Sequence, residues 1–560
     1  MEGSMKKTVA LALAACMGAW SAWAGEVRFT EVGYAGDDGG AVPTASQFRN
    51  PVIAGFHPDP SAIRVGDDFY LVNSTFGYFP GLPVFHSRDL VSWTQIGNAI
   101  DRPGQIDYGD KDELTRGLFA ATISHHAGTF YIANTCFYCD GGNFIVTATD
   151  PAGPWSDPVW LGFSGIDPSL FFDDDGRAWM VNNDVPDGAL RYDGHRAIWL
   201  QEFDPAAKKM TGPRTVLVDG GADPASNPEH IEGPHIFRHD GWYYLTAAEG
   251  GTGEQHAQMV WRSRQVTGPY EAWTDNPTLT QRDLDPARPD PVTSAGHAQF
   301  VRLQDDSWWA VFLATRPYRG NQYNLGRETF LLPVAWHDGW PRILPRGARI
   351  PAVLERPALP PAPAPLPTTG PIRWTERFGA DALPLQWMTI HPPKQPWYRT
   401  GADGLRIAPG ATQLHQHGDG NGGQPAYLAH RLQHHRATLT TTLAAWTPAA
   451  GDFAGLALLQ NERNHYLAGL TRDAQGVAVV VDRRVGDRSE RLARVALPAT
   501  DRPVTLRFEL DAPRLDVSYA LEPGQWITLA TGLDASLLTP DVAGGFIGNT
   551  FGPYAYRGAE

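Results

Sequence analysis

The sequence predicts an all-β protein in two parts, a five-bladed β-propeller followed by a β-sandwich. Three observations carry that prediction: five strand–turn–strand repeats between residues 59 and 310, a proline-rich break after residue 350, and strand-like alternation on both sides of the break. A chain of 560 residues is also too long for one compact core.

Composition narrows the function. Lys and Arg number 46 against 61 Asp and Glu, a net charge of −15, so there is no basic surplus to neutralise a phosphate backbone. Nucleic acid is excluded as a partner, and attachment to anionic lipid is disfavoured for the same reason. Aromatic residues at 11%, with 59 Gly and 47 Pro, describe a folded chain rich in strands and turns.

Taken from the N-terminus, residues 1–24 read as a secretory signal peptide: Met5-Lys6-Lys7, an apolar run from Thr8 to Trp20, then Ala22-Trp23-Ala24 with the cut after Ala24. An exported protein, periplasmic or secreted, is expected. Leu13-Ala14-Ala15-Cys16 resembles a lipobox, but the apolar stretch before Cys16 is short, which disfavours a lipoprotein. No other run approaches the roughly 20 apolar residues of a membrane span. Residues 25–47 form an N-terminal segment without a fold signal of their own.

Residues 48–350 hold the repeats. Asp59 to Leu71, Ala120 to Ile132, Asp167 to Val181, Glu232 to Tyr244 and His297 to Ala310 each read as a strand, a tight polar turn and an aromatic strand. From Asp59 to Tyr70, Ala120 to Tyr131, Glu232 to Tyr243 and His297 to Trp308 is 11 positions each; Asp167 to Trp179 is 12, because its Asp-rich turn is one residue longer. Five such hairpins suggest five blades. The innermost strands of a propeller start at one height around the axis, so Asp59, Ala120, Asp167, Glu232 and His297 should converge there.

Cys136 and Cys139 are the cysteines left after signal cleavage, far from a disulfide framework. Their C-x-x-C spacing lies after an aromatic strand and outside any βαβ pattern, so a local disulfide or two inert thiols is expected, ahead of redox or metal chemistry. Residues 351–370, with Leu359-Pro360-Pro361-Ala362-Pro363-Ala364-Pro365-Leu366-Pro367, form the linker. Residues 371–560 alternate again at Ala437–Thr440 and Leu506–Leu510 and carry a β-branched run from Val477 to Val481, for which a sandwich is the simplest two-layer arrangement. Trp374, Trp387, Trp397 and Tyr398 could bind sugar there or simply fill the core.

Three acids and an imidazole in register are hard to explain as packing, since like charges brought together raise one another's pKa and cost stability. Paired carboxylates suit glycosidic bond cleavage: a protonated one gives its proton to the leaving oxygen while an ionised one activates water. Phe76, Tyr78, Phe79 and Phe119, near the blade tops, offer rings for sugar C–H faces.

Gly55-Phe56-His57-Pro58-Asp59-Pro60-Ser61, Gly165-Ile166-Asp167-Pro168-Ser169-Leu170, Ile231-Glu232-Gly233-Pro234-His235, Ala295-Gly296-His297-Ala298 and Leu325-Gly326-Arg327-Glu328-Thr329 together resemble the family 43 glycoside hydrolases. The resemblance covers roughly residues 48 to 350, and from Trp374 onward the chain is similar to the jelly-roll, concanavalin-A-like β-sandwich of the family's β-xylosidase branch. It implies an inverting mechanism with Asp59 as general base, Glu232 as general acid, and Asp167 as orienter of the acid and modulator of its pKa. It further implies that Arg327 hydrogen-bonds sugar hydroxyls, that Phe76 packs in the innermost subsite, and that His297 sits on the axis. No cofactor is required; many members hold a structural calcium or sodium ion on the axis through water, for which His297 alone is weak support. The second blade has Phe119-Ala120-Ala121 where the family commonly has Trp-Ala-Pro, so the leaving-group subsite is expected to differ in shape. The implied activity is an exo-acting β-1,4-xylosidase releasing D-xylose from non-reducing ends of xylo-oligosaccharides or arabinoxylan-derived substrates. The rivals are an α-L-arabinofuranosidase or bifunctional enzyme and, from another class, a non-catalytic glycan-binding propeller.

Overall fold

The structure is a computed structural model that describes residues 25–109, 113–417, 423–498 and 500–558. The leader assigned to residues 1–24, and Cys16 within it, lie outside the described residues. The expected all-β architecture is what the chain forms. The five repeat hairpins open five antiparallel sheets, whose first strands are Ser61–Val65, Leu118–His126, Ile166–Phe172, Glu232–His239 and Thr293–Arg302. These first strands touch one another in a ring, which makes them the inner strands of five blades.

Side chains stitch the ring. The Ser61 hydroxyl accepts the Ile123 amide at 2.9 Å and donates to Gln299 Oε1 at 2.5 Å, joining blade 1 to blades 2 and 5. Thr122 donates to the Pro168 carbonyl at 2.7 Å, and Ser169 Oγ lies 2.9 Å from His235 Nδ1. The segment before blade 1 closes the circle on blade 5, with the Val52 amide on the Thr329 carbonyl at 2.9 Å and Asn50 exchanging side-chain bonds with the Leu331 backbone.

Among the described residues the sandwich has two eight-stranded sheets. Arg436–Leu443 alternates buried and more exposed residues, as a sheet with one wet face requires. The Val477–Val481 run has a different cause. Val477, Val479 and Val481 enter the core between the sheets, whereas Ala478 and Val480 join Phe56, Phe76 and Tyr78 in a cluster shared with the propeller. Buried on both faces, that strand has no reason to alternate.

The two parts are interwoven. Val27–Gly36, in the segment that carried no fold signal, is a strand of the sandwich, paired with Ile372–Glu376, Leu405–Ile407 and Arg436–Leu443. Tyr78–Phe79 from blade 1 pairs with Met388–Ile390 and extends the other sheet. Tyr78 and Phe79, expected to face a sugar, are therefore buried at the joint. Within the linker Val353–Glu355 pairs with Gln47–Arg49, and the proline stretch lies along the propeller, its Ala362 amide on the Asp89 carboxylate at 3.0 Å. Trp374 and Trp387 pack into the sandwich core with Tyr34 and Phe551, and Trp397 and Tyr398 lie half-buried against that core, so filling the core is one role these rings have. Among the described residues no helix is long and apolar enough to cross a membrane.

Candidate active site

The repeat motifs do something more specific than begin strands. In four blades the hairpin ladder slips where the leading residue sits: between Leu118 and Ala121, Ile166 and Ser169, Glu232 and His235, and Gly296 and Gln299. A bulge re-aims a side chain and leaves an amide unpaired, and this is where Pro168 and Pro234, which have no N–H, are tolerated. Asp59, Asp167 and His297 all adopt left-handed backbone with φ of 51°, 56° and 54°, as does Gly233 at 57°. Strained conformations of this kind persist where the surrounding structure holds them, characteristically at functional sites.

All seven candidates line one cavity of about 680 Å³ on the axis: Asp59, Asp167, Glu232, Phe76, Phe119, His297 and Arg327, together with Ala120. Asp59 is clamped by two donors, Arg327 to Oδ1 at 2.6 Å and Ser74 to Oδ2 at 2.5 Å. Asp167 accepts the Gly233 amide at 3.0 Å, which ties it to the residue after Glu232. Glu232 opens partly onto the cavity, and its Oε1 is shielded and without a hydrogen-bond partner. Arg327 Nε is likewise buried and unpartnered.

Three carboxylates facing one guanidinium cannot all be ionised cheaply. Burial, then the Asp167 charge, then the Asp59 charge push the Glu232 carboxyl up to about 8, so it keeps its proton at neutral pH. Burial also raises Asp167, against the opposing pull of His297. The site thus separates an acid that stays protonated from one clamped by a cation.

His297 stands over Gly233, where an added Cβ would come within 2.7 Å of the imidazole. Burial pushes the neighbouring His235 imidazole down to about 3, which keeps it neutral. Calcium takes six to eight oxygens; this part of the axis presents imidazoles, and among the described residues no group of three or more His, Cys, Asp and Glu is placed to hold a metal. The axial calcium or sodium ion that the resemblance implies would therefore be held through water, with His297 as the side chain facing it.

Sequence reasoning missed several lining residues, above all Phe546, Arg116 and Phe137. Phe546 comes from the sandwich: its amide donates to Thr115 Oγ1 at 2.6 Å and its ring stacks on Phe76 at 6.1 Å. The Arg327 guanidinium lies 5.7 Å from the Phe76 centroid and 5.9 Å from that of Phe546. Gly548 and Gly326 allow the two parts to meet here, because a Cβ on Gly548 would lie 2.4 Å from the Leu325 carbonyl oxygen. The signal for Phe546 was a lone ring within Gly544-Gly545-Phe546-Ile547-Gly548. Cys136 and Cys139 form a disulfide, with Cα atoms 5.3 Å apart.

A carboxyl that retains its proton beside one paired with a guanidinium is the equipment of glycosidic-bond hydrolysis, and the class this propeller and its pocket define is the glycoside hydrolases. Comparison with known proteins makes that particular. Residues 48–341 match the model of glycosyl hydrolases family 43, and residues 375–560 match the β-xylosidase C-terminal concanavalin A-like domain. The chain belongs to family 43. It is 38% identical over 515 residues to a xylosidase/arabinosidase of Butyrivibrio fibrisolvens, covering 90% of this chain and 95% of the relative. It is 35% identical over 517 residues to a non-reducing end α-L-arabinofuranosidase of Bacteroides ovatus, covering 91% of each. Among solved structures, a GH43_12 protein retrieved from a capybara gut metagenome superposes with a TM-score of 0.85 at 34% identity, covering 95% of this chain and 99% of that one.

Proposed function

We propose that this glycoside hydrolase is an exo-acting, inverting xylosidase that releases D-xylose from the non-reducing ends of xylo-oligosaccharides. The observation that carries the reading is one cavity lined both by Glu232, which keeps its proton, and by Asp59, which Arg327 and Ser74 clamp, with the Phe76 and Phe546 rings beside Arg327. A sugar ring seated in that cavity meets both residues, its glycosidic oxygen at the Glu232 carboxyl and its hydroxyls at the Arg327 guanidinium.

Water attacks the anomeric carbon as Asp59, ionised and oriented by Arg327 and Ser74, takes its proton. The bond to the leaving oxygen breaks, and that oxygen receives the Glu232 proton. Asp167 positions Glu232 through the Gly233 amide and, when ionised, raises its pKa. The product sugar has the opposite anomeric configuration, and solvent resets both carboxyls. No step needs a metal ion. Phe546 reaching in from the sandwich supports a walled pocket and therefore single terminal sugars.

An α-L-arabinofuranosidase is the second reading, supported by the name of the Bacteroides ovatus relative and by Phe119, whose ring lacks the indole area of the family's usual tryptophan. The test is chromophore release from nitrophenyl β-D-xylopyranoside and nitrophenyl α-L-arabinofuranoside side by side. Faster xyloside turnover that disappears in Glu232→Ala is expected, and faster arabinofuranoside turnover overturns the substrate. Export by a leader ending at Ala24 belongs to the same proposal; N-terminal sequencing of mature protein starting at Gly25 checks it.

A further inference from the structure

The disulfide is not absorbed by the reaction as described, yet Cys136 lines the active-site cavity. It spans the loop between Thr129–Cys136 and Asn143–Ala148 at the top of blade 2. Residues at a loop tip are ordinarily the mobile part of a fold. Here the loop is fixed on every side. The Cys136 amide donates to the Gly142 carbonyl at 2.8 Å and the Gly142 amide to the Cys139 carbonyl at 3.0 Å. Gly141 lies so close to Trp160 that a Cβ would sit 2.2 Å from the indole, and the Phe137 amide docks on the Gly117 carbonyl at 2.8 Å.

That scaffolding presents one side chain. The Phe137 ring stacks on Phe119 with centroids 5.0 Å apart and planes 18° apart, while remaining 47% exposed at the cavity mouth. Phe119 in turn meets Phe76 at 5.4 Å. Exposure rises along this series from the buried Phe76 through the half-buried Phe119 to Phe137, so the rings lead outward from the floor where the terminal sugar is proposed to sit. The Arg116 guanidinium lies over the Phe137 ring at 4.8 Å from its centroid and over the Phe546 ring at 5.7 Å, so a cationic donor spans the outer ring and the sandwich's ring. An exposed ring held rigidly by covalent and hydrogen-bonded supports, with a hydrogen-bond donor alongside, is suited to a sugar, which offers a C–H face and hydroxyls together.

We propose that the Cys136–Cys139 disulfide is a specificity element that fixes Phe137 as the stacking platform for the leaving sugar, a pyranose unit of a pentose oligosaccharide. This rests on the glycosidase reading above. Phe137 is then a binding residue and the disulfide a positioning device, and neither takes part in proton transfer.

The experiment compares kcat/KM for xylobiose, whose leaving group reaches the platform, with that for β-D-xylopyranosyl fluoride, whose leaving group does not. In Phe137→Ala the ratio of xylobiose to fluoride is expected to fall roughly three- to tenfold, the size of one aromatic contact, chiefly through KM. Phe137→Trp should restore it. Cys136→Ser/Cys139→Ser, and wild type treated with a reductant, should lower the ratio in the same direction while Tm confirms a folded protein. An unchanged ratio in every variant overturns the platform and leaves the hydrolase reading intact. Equal loss on both substrates also overturns it, since a merely structural role has that effect. A wild type inert on both compounds overturns the platform and the xylosidase reading together.

Discussion

The propeller and the sandwich are both built from antiparallel strands, yet they spend their irregularities differently. In the sandwich, Asn464–Asp473 and Gly476–Val485 pair through ten consecutive residues without a slip, and among the described residues from 371 onward only Phe378 and His391 are non-glycine positions with left-handed backbone. In the propeller, four of the five inner ladders slip at the axis, and left-handed backbone occurs at Asp59, Asp167, His297 and Phe76. The sandwich has slips too, in ladders such as Val481/Asp482 and Leu515/Val517, but they do not gather titratable side chains at one point. The propeller gives up pairing where carboxylates must be turned inward and shielded, and this is where its chemistry is placed.

The sharpest test of that contrast is at the acids. Glu232→Gln is expected to cut kcat by roughly 10²- to 10⁴-fold, the worth of a general acid, with the fold intact by circular dichroism. It should also gain stability. A carboxyl whose folded pKa is raised from 4.5 to about 8 gives native stability that is present below the lower value and lost as pH rises through the higher. The Tm advantage of the variant over wild type should therefore be absent near pH 4 and fully developed above pH 8, read by scanning calorimetry (pH values approximate). A variant equally active or equally stable at both extremes breaks the assignment.

Next comes the joint between the regions. Gly548→Val puts a Cβ against the Leu325 carbonyl, two residues from Arg327, and should lower kcat/KM by about 100-fold, as an ångström-scale displacement of a positioning group does, with both domains still folded. Phe546→Ala should cost roughly tenfold in kcat/KM through lost ring contact with the substrate and Phe76. If both changes alter only Tm, the sandwich is a support and not part of the site.

A smaller effect concerns pH. The alkaline limb of kcat/KM should lie near 8, where Glu232 of the free enzyme loses its proton, and Asp167→Asn should move that limb to lower pH by removing a negative neighbour. An upward movement would contradict the electrostatics. Smallest of all, Glu490→Gln removes the exposed partner of Arg483 on the sandwich surface and should change neither Tm nor turnover measurably.

The inner half of this site was legible in the sequence because its residues sit at fixed offsets within local hairpins. Asp59, Asp167, Glu232 and His297 announce themselves by the distance to the next aromatic strand, which turn chemistry sets. Phe546 and Arg116 could not be read that way, since they reach the cavity through packing between segments 431 residues apart, as the Phe546–Thr115 bond shows. Val27–Gly36 was silent for the same reason: its partners begin 336 positions later, at the Gly36–Ile372 pair. Tyr78 and Phe79 misled because an aromatic strand buried at a joint looks like one lining a pocket. Local chemistry is written locally, whereas the walls depend on shape.

That N-terminal strand has a consequence for how the protein is made. Val27–Gly36 leaves the ribosome long before any of its three partner strands exists, and the propeller is synthesised in full between this one strand and the rest of its sheet. Closing so long an insertion costs little more entropy than closing a short one, because the penalty grows only with the logarithm of its length. Timing is the real constraint: the waiting strand is an unpaired edge throughout translation of the blades, and it is sealed only when the last third of the chain arrives to clasp it.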